Sequence, residues 1–153
     1  MRLLTILCLV LITGCSTLPK TETVMVVTGS AEDYKKIPLV DLFNEIIKQP
    51  YKMHVYDCSN KAANYVRALK KAGHDADIVV IKPPYNELGM LHAIVRINVD
   101  GKYLYVDPTS DGWSRDINTF GYPMWIPKWS EEKQDYDDYQ EYGDRLHELY
   151  MLR

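Results

Sequence analysis

Three side chains have the types, order and spacing for nucleophilic acyl chemistry: Cys58, His92 and Asp107. Cys58 follows Asp57 at the start of a segment, reaching Ala72, in which Ala62, Tyr65, Val66 and Leu69 recur at helical intervals. Asp57 suits the helix N-cap, and Gly73 suits the left-handed residue just past the end. The cysteine thus opens the apolar stripe where backbone N–H groups are unpaired and a thiolate is favoured. His92 and Asp107 come from a predicted hairpin, Leu91 to Val99 and Lys102 to Val106, turned by Asp100-Gly101. That turn sets Val99 opposite Lys102 and Asp107 opposite Ile94, making His92 and Asp107 diagonal neighbours about 7–8 Å apart at the backbone. A one-residue slip would send them to opposite faces. In such a set the thiolate attacks, His92 takes and returns a proton, and Asp107 fixes the imidazole tautomer. The Cys58 backbone N–H is a natural oxyanion donor, with Gln49, His54 and Tyr56 as candidates for a second. The Asp57 carboxylate works slightly against thiolate formation.

Positioning these groups requires an α+β fold. Leu39, Leu42, Phe43, Ile46 and Ile47 predict a helix that stops before Pro50. Asp77 to Ile81 reads as a short buried strand stopped by Lys82-Pro83-Pro84. Ala93, Val95, Ile97, Val99, Leu104 and Val106 make one hairpin face apolar. His92 and Asp107 share the other, mixed face with Ile94, Arg96, Tyr103 and Tyr105, and the Cys58 helix is expected to pack there. Lys61, Asn64, Arg67, Lys70 and Lys71 are placed on the remaining faces of that helix. Pro108 to Trp129 reads as a long structured loop rich in aromatics, and Ser130 to Met151 as a closing helix weakened by Gly143. His74 and His147 are read as solvated.

At these residues the chain resembles the transglutaminase-like core. Tyr56-Asp57-Cys58-Ser59-Asn60-Lys61-Ala62, Ala72-Gly73-His74-Asp75-Ala76, Leu91-His92-Ala93-Ile94-Val95 and Tyr105-Val106-Asp107-Pro108-Thr109 match in order. In that family a Cys opens a helix, a His-Ala begins one strand and an Asp-Pro-Thr ends the next. The resemblance covers roughly Tyr56 to Trp113. It implies a papain-like arrangement, a small antiparallel sheet packed against the helix bearing the catalytic Cys, with Cys58, His92 and Asp107 as the triad. The family often has an aromatic where this chain has Ile94, and an Arg where Asp77 stands. Asp57-Cys58-Ser59 also resembles NlpC/P60 peptidoglycan peptidases, which usually follow the Ser with Gly.

Met1-Arg2 and the uncharged run from Leu3 to Thr13 form a signal-peptide pattern too short to span a bilayer. Leu11-Ile12-Thr13-Gly14-Cys15 resembles a lipobox, which implies removal of residues 1–14 and a diacylglycerol thioether on Cys15. The expected organisation is then a lipidated cysteine and tether over 15–35, with Val24 to Val27 as an optional edge strand, and one domain over 36–153. Of three cysteines, only Cys58 is left as a free thiol. A lone thiol in an oxidising compartment is either core filler or chemistry. A net charge of −3 without a basic cluster excludes a nucleic-acid binder. A zinc site of His54, Cys58 and His92 lacks a second Cys/His pair, so no metal or other cofactor is expected. The expected function is acyl transfer by a monomeric, membrane-anchored cysteine peptidase, amidase or transglutaminase acting on an envelope peptide or protein, at the outer membrane or cell surface. A non-catalytic lipoprotein binding module on the same fold is the competing class.

Overall fold

The computed structural model describes residues 29–84, 90–125 and 139–150. The leader, Cys15, Val24 to Val27 and the 126–138 segment with Trp129 lie outside the described residues. Helices α1 (Ala31–Lys35), α2 (Val40–Lys48) and α3 (Cys58–Lys71) precede strands β1 (Ala76–Lys82), β2 (His92–Val99) and β3 (Lys102–Asp107). Strand β4 (Gly112–Ser114), a 3-10 turn at Ile117–Thr119, strand β5 (Tyr122–Trp125) and helix α4 (Tyr139–Tyr150) follow. The strands form one antiparallel sheet in the order β4-β3-β2-β1-β5. The protein is therefore α+β, with a small antiparallel sheet and helices on it.

The β2–β3 hairpin has the expected register, Val99 opposite Lys102 and Val95 opposite Val106. Asp100 (φ 56°) and Gly101 (φ 76°) are both left-handed, the geometry a tight hairpin turn with the native strand twist requires. Helix α3 is also as expected: the Asp57 carboxylate accepts from Ser59 N–H, Asn60 Oδ1 accepts from Asp57 N–H, and Gly73 (φ 84°) follows the last turn.

Two expectations are corrected here. Helix α3 lies on the apolar face of the hairpin, not the mixed one. Ala62, Tyr65, Val66 and Leu69 share a core with Ile78, Val80, Ala93, Val95, Ile97, Leu104 and Val106. Burying that face removes far more apolar surface from water than the mixed face offers. The segment after Pro108 is not a plain loop. It supplies both edge strands, and it seats Phe120 and Ile117 on the second sheet face over Val79, Ile81 and Ile94.

The folded unit also begins before residue 36. Ser30 caps α1, the Trp113 indole N–H donates to the Ser30 carbonyl (3.0 Å), and Arg115 pairs with Asp33 (2.9 Å). Gly143 sits where α4 crosses the first turn of α3. A Cβ there would lie 2.6 Å from Asn60 Cα, so the glycine permits the close crossing rather than weakening the helix. Asn60 Nδ2 donates to Asp144 Oδ1 (2.9 Å) at this crossing.

Candidate active site

Cys58 is the first residue of α3 and is 4% exposed. His92 is the first residue of β2 and Asp107 the last of β3, so both lie at the end of the hairpin away from its turn. Strand-end residues are not held by the alternation that governs the middle of a strand. From there the His92 ring lies close enough to Cys58 for the sulfur to act on it, although α3 packs on the opposite face from the one expected. On its other side His92 Nε2 lies 2.9 Å from Asp107 Oδ2. The three residues read from the sequence are thus brought together in one line.

Asp107 is fully buried and anchored by the turn it begins. Its carboxylate accepts from Thr109 N–H (2.8 Å) and Ser110 Oγ (2.6 Å), a local turn that Asp-Pro-Thr-Ser favours. Burial raises its proton affinity, but His92 and these donors outweigh that and hold the carboxyl below its ordinary range. At His92, burial opposes the imidazolium, yet the Asp107 carboxylate and the Cys58 sulfur overcome it and hold the ring well above the usual imidazole value. The Asp107 carboxylate thus favours the charged form of the His92 ring.

This pair sets a pH signature in stability. The Asp107 contribution is present above its unfolded value near 3.8 and disappears as pH falls through its lower native value. The His92 contribution is complete below about 6.5 and disappears as pH rises through its higher native value. Thermal melts of the parent and His92→Ala should therefore differ most between about pH 4 and 6.5, converging at alkaline pH. A gap that widened with rising pH would contradict the assignment of charges.

The three candidate oxyanion donors stand in the following contacts. Gln49 presents its backbone carbonyl to Lys61 Nζ (2.8 Å), and Tyr56 Oη accepts from Asn64 Nδ2 (3.2 Å). The His54 ring faces His147, with Nδ1 2.9 Å from His147 Nε2. The Tyr51 hydroxyl, from the loop before α3, lies near Cys58. Burial, then the negative charge of Cys58 and Asp57, drives its proton affinity far above the ordinary phenol value. Tyr51 is therefore held as the neutral phenol near Cys58. A tyrosine in an irregular loop carries no periodic signal, and the sequence reading passed over it.

The loop before Cys58 is closed by paired hydrogen bonds between Lys52 and Tyr56, at 3.0 and 2.8 Å. Asp57 is turned into this loop: Oδ1 accepts from Ser59 N–H (3.0 Å) and Oγ (2.6 Å), and Oδ2 from His54 N–H (3.2 Å). Its charge is engaged by these donors rather than left free against the thiolate. The zinc reading of His54 with Cys58 fails because His54 precedes the helix, with φ 60°, so the two do not share a helical face. Nor is His147 simply solvated, given its contact with His54.

Lys61 is a second residue that sequence reasoning misplaced. Expected on an outer face, it is 1% exposed, donates to Gln49 O and Ile47 O at the end of α2, and lies close enough to Asp107 to feel its charge. It ties α2 to the first turn of α3, directly behind the site. Asp77, where the resembling family often has Arg, pairs with Arg96 (2.8 Å) and Lys70 (3.7 Å), away from the triad.

No protein-family model, curated protein or solved structure matches this chain. Among the described residues no helix is long and apolar enough to cross a membrane.

Proposed function

We propose that this protein is a cysteine acyl-transfer enzyme on a papain-like, transglutaminase-like fold, with Cys58, His92 and Asp107 as its triad. The observation that carries the reading is the 2.9 Å pairing of His92 with a buried Asp107, beside a cysteine at the first turn of a helix. Cys58 supplies the nucleophilic sulfur, with His92 as its proton partner. That sulfur attacks an amide carbonyl carbon; a C–S bond forms and the carbonyl electron pair moves onto oxygen. The Cys58 N–H and the Tyr51 hydroxyl stabilise the oxyanion. Its collapse breaks the C–N bond, and the leaving amine takes the proton from His92. Water, or an amine in a transamidation, then gives a proton to His92 and releases the acyl group from sulfur. Asp107 keeps the ring aligned through both halves. No cofactor is needed for this cycle.

Tyr51, Met53 and Val55, in the loop that leads into Cys58, have 47%, 54% and 57% of their surface exposed. Exposed apolar side chains around a nucleophile suit a peptide or protein amide, and hydrolysis is preferred because water is always at hand. Lipidation at Cys15 would hold the enzyme at the cell envelope, where peptides of the outer membrane or cell surface are its substrates.

Tyr51→Phe tests the oxyanion assignment. Losing one donor while the backbone N–H stays should lower kcat about 30-fold, below the usual range for a fully enclosed donor because this loop is half exposed. Alkylation of Cys58 should continue at nearly the parent rate. Unchanged turnover in Tyr51→Phe would remove the hydroxyl from the mechanism.

A further inference from the structure

Behind the triad, three potential metal ligands converge from separate parts of the chain. His54 comes from the closed loop, Asp57 from the cap of α3, and His147 from α4. One ligand atom from each lies within 4.8 Å of the others. Nδ1 of His54 and Nε2 of His147 are 2.9 Å apart, with the rings edge to face. His147 Nδ1 is buried without a hydrogen-bond partner, although Asp57 Oδ2 is only 3.4 Å away. Two imidazoles facing each other can share at most one proton between them. A borderline divalent cation can replace the shared proton between His54 Nδ1 and His147 Nε2 and take the nearby Asp57 carboxylate as a third ligand.

We infer that His54, Asp57 and His147 form a Zn²⁺-binding site, with two imidazoles and one carboxylate as ligands and a fourth position open to solvent. Zinc–nitrogen bonds of about 2.1 Å in a tetrahedron place the nitrogens roughly 3.4 Å apart, so the pair need open from 2.9 Å by about half an ångström. The exposed His54 ring is free to make that adjustment. The ion would join the loop that carries Tyr51 to α4, which otherwise meets α3 at the Asn60–Asp144 and Gly143 contacts. The site uses neither Cys58 nor His92, so it stands or falls independently of the proposed catalysis.

The test uses the full-length chain without a polyhistidine tag and Zn²⁺ as the probe. Calorimetric titration of Cys58→Ser should show one ion bound, and His147→Ala and His54→Ala should each weaken it at least about 10-fold. Co²⁺ in Cys58→Ser should give the visible bands of a tetrahedral ion, with no thiolate charge-transfer band. Zn²⁺ at about 100 times Kd should raise the melting midpoint of the parent by roughly 5–10 °C, and should not raise that of His54→Ala. His54 is exposed, so its variant keeps the test valid if His147→Ala unfolds. Zinc uptake lost in Cys58→Ser would assign the ion to the Cys58–His92 pair and overturn the proposal, as would equal binding by the parent and His54→Ala.

Discussion

His92→Ala should lower turnover of a chromogenic peptide amide by about 10⁴-fold, the largest effect of any single change outside the nucleophile. The magnitude is scaled down from the loss seen when a serine triad loses its base, because a thiol ionises more readily than a hydroxyl. Two separate jobs disappear with the ring. The leaving amine has no proton donor, and the sulfur has no imidazolium beside it. The second loss is measurable without any substrate: alkylation of Cys58 by iodoacetamide at pH 6 should slow at least about 10-fold in His92→Ala. Equal alkylation rates in the parent and the variant would show that His92 does not support the thiolate, whatever its distance from the sulfur.

Asp107→Asn is expected to reduce turnover by roughly 10²–10³-fold and also to destabilise the fold. The amide can still hydrogen-bond the imidazole, but it no longer stabilises a charged ring, and one of its ends becomes a donor. Full burial makes that exchange costly. The carboxylate currently accepts from Thr109 N–H and Ser110 Oγ as well as facing His92, so an amide group must point its N–H₂ at another donor or lose a partner. About 2 kcal/mol of stability should go with it, read as a lower melting midpoint at pH 6. Ser110→Ala gives the control, removing one of those donors while keeping the charge, and it should cost turnover less than Asp107→Asn does. A parent-like rate in Asp107→Asn would reduce the site to a dyad and leave Asp107 as a turn residue before Pro108.

How much was legible depended on whether a feature is local. The hairpin register followed from Asp100-Gly101, because a two-residue turn with both φ positive admits one pairing of its flanking strands. Helix α3 was readable from its ends, where Asp57 and Gly73 each satisfy backbone geometry within a few residues. The three triad positions followed from those two elements together. What failed was non-local. Pro108 to Trp125 hid β4 and β5, since strands of three and four residues are too short to show a period and Pro123 sits inside one. Lys61 looked like a solvent-facing lysine because its partners, the last carbonyls of α2, are twelve and fourteen residues away and meet it only after α2 docks. The packing face of α3 was misjudged because the triad was assumed to lie across the middle of a face. In the fold it lies at the strand ends, so chemistry and core do not compete for one surface.

The central claim is that Cys58 is an activated nucleophile and not buried filler, although 4% exposure fits either role. The most direct measurement is the rate of iodoacetamide alkylation of the native protein from pH 5 to 9, followed by intact mass, with peptide mapping to locate the adduct. The account predicts one rapid adduct on Cys58 below pH 7, absent in Cys58→Ser and slowed in His92→Ala. A Cys58 that is alkylated only after the protein is unfolded would contradict it.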